Sequence, residues 1–268
     1  MTKTFFLARF WRGHRALTVF GIALLCLAIP SLAASLVDHR QLAGVSVWIK
    51  PIKFMLSTGL FLLTLAYFAA DLPAGRRGWQ LEALAWTAII TSLFEVGYIT
   101  WQGAHGLESH FNGTSQTTAN LYRAMGVAAL LLTATSFWLG CLIARRSDRL
   151  KGPYRRAIVL GLIITGIAGI GSGAAIAANL GHWVGDPGSD IVGIPLLGWS
   201  RVVGDLRPGH FLAIHAMQIL PVFGAAVELA GAQSFWARRM VDVFALALVA
   251  GIIGLIVLGY KGLPLFPY

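Results

Sequence analysis

The stretch VDVFALALVAGIIGLIVLGY, residues 241–260, contains a single charged residue, Asp242, near its start. A run of about 20 apolar residues is long enough to cross the hydrocarbon core of a bilayer as a helix. The run does not alternate apolar and polar residues, which argues against a strand of a membrane barrel. A bilayer core has no water to bond the backbone N–H and C=O groups, so the segment is predicted to be a transmembrane helix.

Six further apolar segments share these properties. The chain has 268 residues, of which 57% are hydrophobic and 12% are charged, a composition typical of a multi-pass membrane protein. We predict an all-α bundle of seven transmembrane helices that forms a single domain over residues 1–268. The predicted spans are residues 16–37, 48–70, 81–102, 124–144, 157–180, 210–230 and 241–260.

The basic residues lie at alternate ends of these spans. Of the 21 Lys and Arg residues, 14 precede the first span or follow the second, fourth or sixth span. Cytoplasmic loops of membrane proteins carry an excess of Lys and Arg. The sequence therefore predicts a cytoplasmic N-terminus and a C-terminus outside. The net charge of +10 is read as a topology signal and not as a nucleic-acid binding surface.

The first span has a second interpretation. A basic start, an apolar run and the string SLAAS at residues 31–35 are also typical of a cleavable signal peptide. We favour a retained span because the apolar run is long enough to cross the bilayer.

Three predicted spans place polar and ionisable residues at a common depth in their outer halves. These residues are Lys50 and Lys53 on the second span, Glu95, Tyr98 and Gln102 on the third, and His210, His215 and Gln218 on the sixth. A lone charge at that depth costs about 2.5 kcal/mol or more, so such residues usually pair or line a wet cavity. We expect Lys50 or Lys53 to pair with Glu95. A salt bridge that only fixes helix packing is the structural alternative.

The outer loops add further polar residues. In chain order these include Glu108, His110, Asn112, Arg123, Arg201, Asp205 and Arg207. Asp205 and Arg207 precede the sixth span, where free backbone N–H groups favour an acceptor or a bound anion. Helix capping and anchoring at the membrane interface are the alternative roles of this pair.

Three strings of the chain are similar to those of an uncharacterised family of bacterial multi-pass membrane proteins. They are WIKPIKF at residues 48–54, ESHFN at residues 108–112 and GDLRPGHFLAIHAMQILP at residues 204–221. The resemblance implies a bacterial cytoplasmic membrane and a site shared by the three strings. It implies no activity.

A metal site is the first functional hypothesis. Its predicted ligands are His110, His210, His215 and Glu95, a donor set that Zn or Fe would accept. The metal would activate water for hydrolysis, with Glu95 and His215 as the catalytic residues. His210 and His215 are five residues apart, about 140° around an ideal helix, so His210 must lie in an unwound entry to converge with His215.

Two other functions stay open, and with them the question whether the protein is an enzyme. Binding or transport of an anionic lipid or a small acid would use Glu95 as a proton relay. The predicted substrate-binding residues are Lys50, Lys53, Tyr98, Gln102, Asn112, Arg123, Arg207 and Gln218. Redox work with haem b or a quinone would use His215 with His110 or His210 as axial ligands. Membrane lipids are the expected partners, and protein partners are left open.

Overall fold

The computed structural model describes residues 3–73, 75, 78–147, 152–188, 193–231 and 235–268. Within these ranges the backbone forms nine α-helices and two short antiparallel strand pairs. The helices are α1 (Lys3–Gly13), α2 (Arg15–Val37), α3 (Ile49–Ala69), α4 (Gly78–Ala104), α5 (Gln116–Arg146), α6 (Gly152–Ala178), α7 (Arg207–Ile214), α8 (Ala216–Leu229) and α9 (Phe235–Tyr260). The strands are β1 (Gln41–Leu42), β2 (Val45–Ser46), β3 (Trp183–Val184) and β4 (Gly204–Asp205), with β1 paired to β2 and β3 to β4.

The described helices include six that are long and apolar enough to cross a membrane, namely α2, α3, α4, α5, α6 and α9. The bent pair α7 and α8 is a seventh candidate if it counts as one span. An 18-residue segment of α9 has a mean hydropathy of 2.7, and only 22% of this segment is buried, as expected for a helix that faces lipid. The predicted all-helical architecture is confirmed, with six or seven candidate membrane spans. The count of seven spans and the orientation of the termini stay predictions.

Helix α5 begins at Gln116, earlier than the apolar run that predicted a span over residues 124–144. The additional N-terminal turns of α5 are polar, and they begin with a capping box. The N–H of Thr118 donates to Ser115 Oγ at 3.1 Å, and the N–H of Ser115 donates to Thr118 Oγ1 at 3.1 Å. Two backbone donors that a helix start leaves free are thereby bonded, so the helix extends beyond its apolar part.

Residues 210–230 do not form the single continuous helix that the sequence predicts. Helices α7 and α8 meet at His215 with a bend of 53°. Thr165 of α6 lies at this break, where its Oγ1 accepts from the N–H of Met217 at 2.9 Å and donates to the carbonyl of Ala213 at 3.2 Å. An unbroken helix would join Met217 and Ala213 directly, so the hydroxyl is inserted into that backbone hydrogen bond. Pro221 adds to the irregularity because it offers no N–H to the carbonyl of Met217.

The contacts of the chain divide it into two compact units. Unit 1 contains the described residues of Met1–Thr135 and Arg145–Arg149, and unit 2 those of Ser136–Ala144 and Leu150–Tyr268. The single domain inferred from the sequence stays a prediction.

In unit 1, α2 packs on α3, and α3 packs on α1 and α4. Two glycines allow a close approach of α2 and α3: a Cβ added at Gly59 would lie 2.9 Å from the carbonyl oxygen of Gly21. The two helix backbones therefore touch, as small residues permit in membrane bundles. An ion pair of 2.6 Å between Arg9 and the buried Asp71 fixes α1 to the far end of α3.

In unit 2, α6 packs against α7, α8 and α9. A Cβ added at Gly161 of α6 would lie 2.8 Å from the carbonyl oxygen of Ala216, so the backbone of α6 approaches the break between α7 and α8. The apolar core of this unit includes Leu220, Val241 and Ile252. The break is thus enclosed by packed helices and does not lie in a loop.

Candidate functional site

Helix α4 buries three polar residues along one side, Ser92, Glu95 and Tyr98, which we call the α4 stripe. Successive members are three residues apart, which separates them by about 4.5 Å along the helix axis. Ser92 is 1% exposed and Glu95 is 4% exposed, although both lie in the apolar part of a candidate span. Tyr98 is half-buried, and its hydroxyl is buried.

Each member of the stripe has a buried polar atom without a hydrogen-bond partner among the described residues: Ser92 Oγ, Glu95 Oε1 and Tyr98 OH. The neighbouring Thr91 behaves differently, because its hydroxyl donates to the carbonyl of Thr87 at 2.7 Å. An unpaired buried polar group costs about 1–3 kcal/mol, and in native proteins it commonly marks a bound water, ion or ligand. Three such atoms on one side of one helix make the stripe the best candidate site in unit 1.

Lys50, in the first turn of α3, is a cation that interacts electrostatically with the stripe. Its ammonium group interacts with the carboxylates of Glu108 and Glu95. Glu108 is exposed and Glu95 is buried, so Lys50 interacts with one carboxylate at the surface and one in the interior. The expected ion pair of Lys50 or Lys53 with Glu95 stays a prediction.

The other two predicted cations of this unit lie at the surface. The side chains of Lys53 and Arg123 are exposed, and Arg123 donates to Asn120 Oδ1 at 3.1 Å. Their role in binding a substrate stays a prediction.

Two predicted substrate contacts instead shape the loop that carries Glu108. Gln102 Nε2 and Asn112 Nδ2 both donate to the carbonyl of Glu108, at 3.0 and 2.8 Å. Asn112 Oδ1 in turn accepts from the N–H of Thr114 at 3.1 Å. Both amide side chains are buried and bonded to backbone, so they position the loop.

The start of α3 is held by a polar cluster next to the same loop. The indole N–H of Trp48 donates to Asp38 at 2.9 Å, and the guanidinium of Arg40 donates to Asp38 at 2.7 Å and to the carbonyl of Ala104 at 2.9 Å. The hydrogen bonds from Arg40 and then Trp48 hold the pKa of the Asp38 carboxyl well below its usual value. The cluster connects the ends of α2 and α4 to the helix turn that presents Lys50.

His110 lies in an aromatic cluster in unit 1. The centroid of its ring is 5.7 Å from that of Phe54 and 6.1 Å from that of Tyr122, and its Nδ1 is 3.1 Å from Ser109 Oγ. These ring contacts describe a packed, half-buried side chain.

His210 of unit 2 is bonded to a residue that the sequence analysis did not select. Its Nδ1 is 2.9 Å from Ser172 Oγ on α6, and that hydroxyl donates its proton to the carbonyl of Ala168 at 2.6 Å. Ser172 therefore accepts from His210, which assigns the proton of the neutral imidazole to Nδ1 and leaves Nε2 as an acceptor.

His215 has the same tautomer by a similar argument. It occupies the break between α7 and α8, and its Nδ1 lies 3.3 Å from Gln218 Oε1, an atom that only accepts. The two histidines interact electrostatically with each other. Unit 2 thus presents two imidazoles whose Nδ1 atoms have bonded partners and whose Nε2 atoms carry lone pairs.

Arg207 and Asp205 form an ion pair at the start of α7. Asp205 is 4% exposed and accepts from Arg207 Nε at 2.9 Å and from the N–H of Ser200 at 3.0 Å. Arg207 also donates to the carbonyl of Gly198. These bonds favour the anchoring role of the pair, because Arg207 Nε and Nη2 are bonded inside the fold. Substrate binding by Arg207 stays a prediction.

The predicted metal site is not supported. Its ligands belong to both units, with Glu95 and His110 in unit 1 and His210 and His215 in unit 2. In the part of the chain that the structure describes, no group of three or more His, Cys, Asp or Glu residues is placed to hold a metal ion.

Comparisons with protein-family models, with curated proteins and with solved structures find no match to this chain.

Proposed function

We propose that this chain is a multi-pass protein of the bacterial inner membrane that binds and transports a small acid together with a proton. The observation that carries the proposal is the buried Oε1 of Glu95, which has no hydrogen-bond partner in the described part of the chain. It lies between the hydroxyls of Ser92 and Tyr98, which also lack a partner there, and it interacts electrostatically with Lys50. Ionisable residues inside membrane spans commonly serve ion pathways and proton relays.

The charges suggest how a proton and an anion would be coupled. With Glu95 ionised, its charge and that of Lys50 offset each other, and the interior of the site needs no counter-ion. When Glu95 takes up a proton, the exposed Glu108 remains as the negative neighbour of Lys50 among the described residues, and Lys50 then attracts an anion. Loading one proton with one anion keeps the net charge inside the apolar helices unchanged, which avoids the cost of an uncompensated charge.

The hydroxyls of Ser92 and Tyr98 would supply the remaining hydrogen bonds. Each hydroxyl both donates and accepts, so the pair matches a carboxylic acid or the water that accompanies it. A small acid is preferred to the metal-assisted reaction because the described residues contain no metal-ligand cluster. The expected opening toward the periplasm follows from the charge asymmetry of the sequence.

The test uses the full-length chain in proteoliposomes that contain a pH-sensitive dye. Succinate, gluconate or glycerol 3-phosphate is added outside with an inward proton gradient, and internal acidification is recorded. We expect at least one acid to accelerate proton entry, and we expect Glu95→Gln and Lys50→Met to abolish that acceleration.

The matched control is Thr91→Val, which alters the residue next to Ser92 without touching an unpartnered atom. It should transport as the unchanged protein does. If none of the three acids accelerates proton entry through correctly folded protein, or if Glu95→Gln transports normally, the proposal fails.

A further inference from the structure

Unit 1 contains a cavity of about 470 Å³ that lies away from the α4 stripe. It is lined by Gly75, by Gly78, Trp79 and Gln80 at the start of α4, and by Arg145 and Arg146 at the end of α5. Gln80 and Ser92, the nearest member of the stripe, are 12 residues apart on α4, so the cavity lies about 18 Å along the helix axis from the stripe. It is therefore a separate site.

The lining of the cavity is basic, with two arginines and no acidic side chain among its six residues. Arg145 is exposed, and Arg146 donates to the amide oxygen of Gln80. The first turn of α4 also contains no acidic residue, so its free backbone N–H groups and the positive end of the helix dipole add to the two guanidinium charges.

The setting favours an anion that arrives with a lipid. Trp79 is 73% exposed at the end of an apolar helix, the position at which tryptophan commonly meets the headgroup layer. Guanidinium groups bind phosphate through paired hydrogen bonds, and basic sites beside membrane spans commonly bind anionic headgroups.

We infer that this cavity binds a phosphate-bearing ligand, supplied by the headgroup of an anionic lipid. A volume of about 470 Å³ is within the range of small-molecule sites and exceeds the need of a bare phosphate. Arg145 and the first turn of α4 hold the phosphate, Arg146 is kept in position by Gln80, and Trp79 packs against the glycerol part of the lipid.

The experiment titrates detergent-solubilised full-length protein with phosphatidylglycerol and, separately, with phosphatidylcholine, and reads the bound lipid by native mass spectrometry. We expect tighter binding of phosphatidylglycerol. Arg145→Gln should weaken it about fivefold, the size expected for one basic residue at a lipid headgroup. Arg145→Lys, which keeps the charge, should restore most of the affinity, and Arg15→Gln, an exposed arginine outside the cavity, should leave it unchanged.

A competition with excess glycerol 3-phosphate separates the two sources of phosphate. If only the lipid binds in an Arg145-dependent way, the headgroup is the ligand. If glycerol 3-phosphate binds alone with the same dependence, the site takes a soluble phosphate compound. The inference is overturned if phosphatidylglycerol and glycerol 3-phosphate both fail to bind, or if the double variant Arg145→Gln/Arg146→Gln binds them as the unchanged protein does. These outcomes do not depend on acid transport.

Discussion

The hydroxyl of Thr165 on α6 accepts the backbone N–H of Met217 on α8 at a distance of 2.9 Å. Helix α6 thus supplies the acceptor for this N–H, which in a continuous helix would donate to the carbonyl of Ala213. The same hydroxyl donates to the carbonyl of Ala213, so the break at His215 leaves neither backbone group unbonded. A bend of 53° inside a packed apolar unit is tolerated for this reason.

Thr165→Val tests this account, because valine has the shape of threonine and lacks the hydroxyl. The N–H of Met217 and the carbonyl of Ala213 then lose their shared partner, and we expect a loss of about 1–3 kcal/mol in the free energy of unfolding. Thermal unfolding in detergent measures the change. Thr133→Val is the control, since Thr133 donates to the carbonyl of Ala129 within its own helix. Equal stability of the two variants would contradict the assigned role.

A double-mutant cycle tests the interaction of Lys50 with Glu95. Glu95→Leu leaves a half-buried ammonium with the exposed Glu108 as its carboxylate neighbour, so this single change should destabilise the protein more than Glu95→Leu/Lys50→Leu does. We expect a coupling free energy of about 1 kcal/mol or more, measured by thermal unfolding of the four proteins. Additive effects would mean that the two charges are independent.

Ser92→Ala should have opposite effects on stability and on function. It removes a buried hydroxyl that has no partner among the described residues, so without a ligand we expect stability to be unchanged or to rise by about 1 kcal/mol. The same change should slow acid-driven proton entry into proteoliposomes. A variant that is destabilised by several kcal/mol would indicate that the hydroxyl has a structural role.

The hydrogen bonds that Arg40 and Trp48 donate to Asp38 should make a contribution to stability that is lost in acid. The folded pKa of Asp38 is lowered from the usual 3.8, so the stabilisation is fully present above pH 3.8 and is lost as the pH falls below that value. Thermal unfolding of the unchanged protein and of Asp38→Asn is compared at neutral pH and in acid. The difference between them should be constant near neutrality and should shrink below pH 3.8. A difference that persists unchanged in strong acid would exclude this linkage.

Reporter fusions test the orientation of the chain. The asymmetry of Lys and Arg predicts that a reporter after Tyr268 is active only in a periplasmic assay, and that one inserted within residues 145–156 is active only in a cytoplasmic assay. The reversed pattern would move the α4 stripe to the cytoplasmic half of the membrane and would undo the argument for an outward opening.

The apolar runs predicted the helices well because crossing a membrane depends on length and hydrophobicity, which are local properties of the sequence. The prediction was less accurate at polar termini, since the capping box of Ser115 and Thr118 extends α5 without changing its apolar pattern. The break at His215 could not be placed, because Thr165, which bonds across it, lies about 50 residues away in the chain. Pro221 lies inside α8, six residues after the break, and does not mark its position.

The candidate site was predicted in part. Glu95 and Tyr98 were selected because ionisable and polar residues are rare in apolar spans. Ser92 was missed, since serine is common in such spans and only its unbonded hydroxyl distinguishes it from Thr91. Gln102, Asn112 and Arg207 have polar groups that are bonded to backbone or to Asp205 within the fold, a structural role that the sequence did not indicate for the two amides. Their predicted contacts with a substrate stay predictions.

The bond between Thr165 and Met217 also makes one amide proton a reporter of helix docking. Most amide protons in a helix are protected from exchange with solvent by their own helix, but that of Met217 is protected by a side chain of α6. We expect its exchange to accelerate when α6 and α8 separate, even if α8 stays helical. A hydrogen-exchange measurement at this residue would therefore follow the opening of unit 2 separately from the melting of its helices.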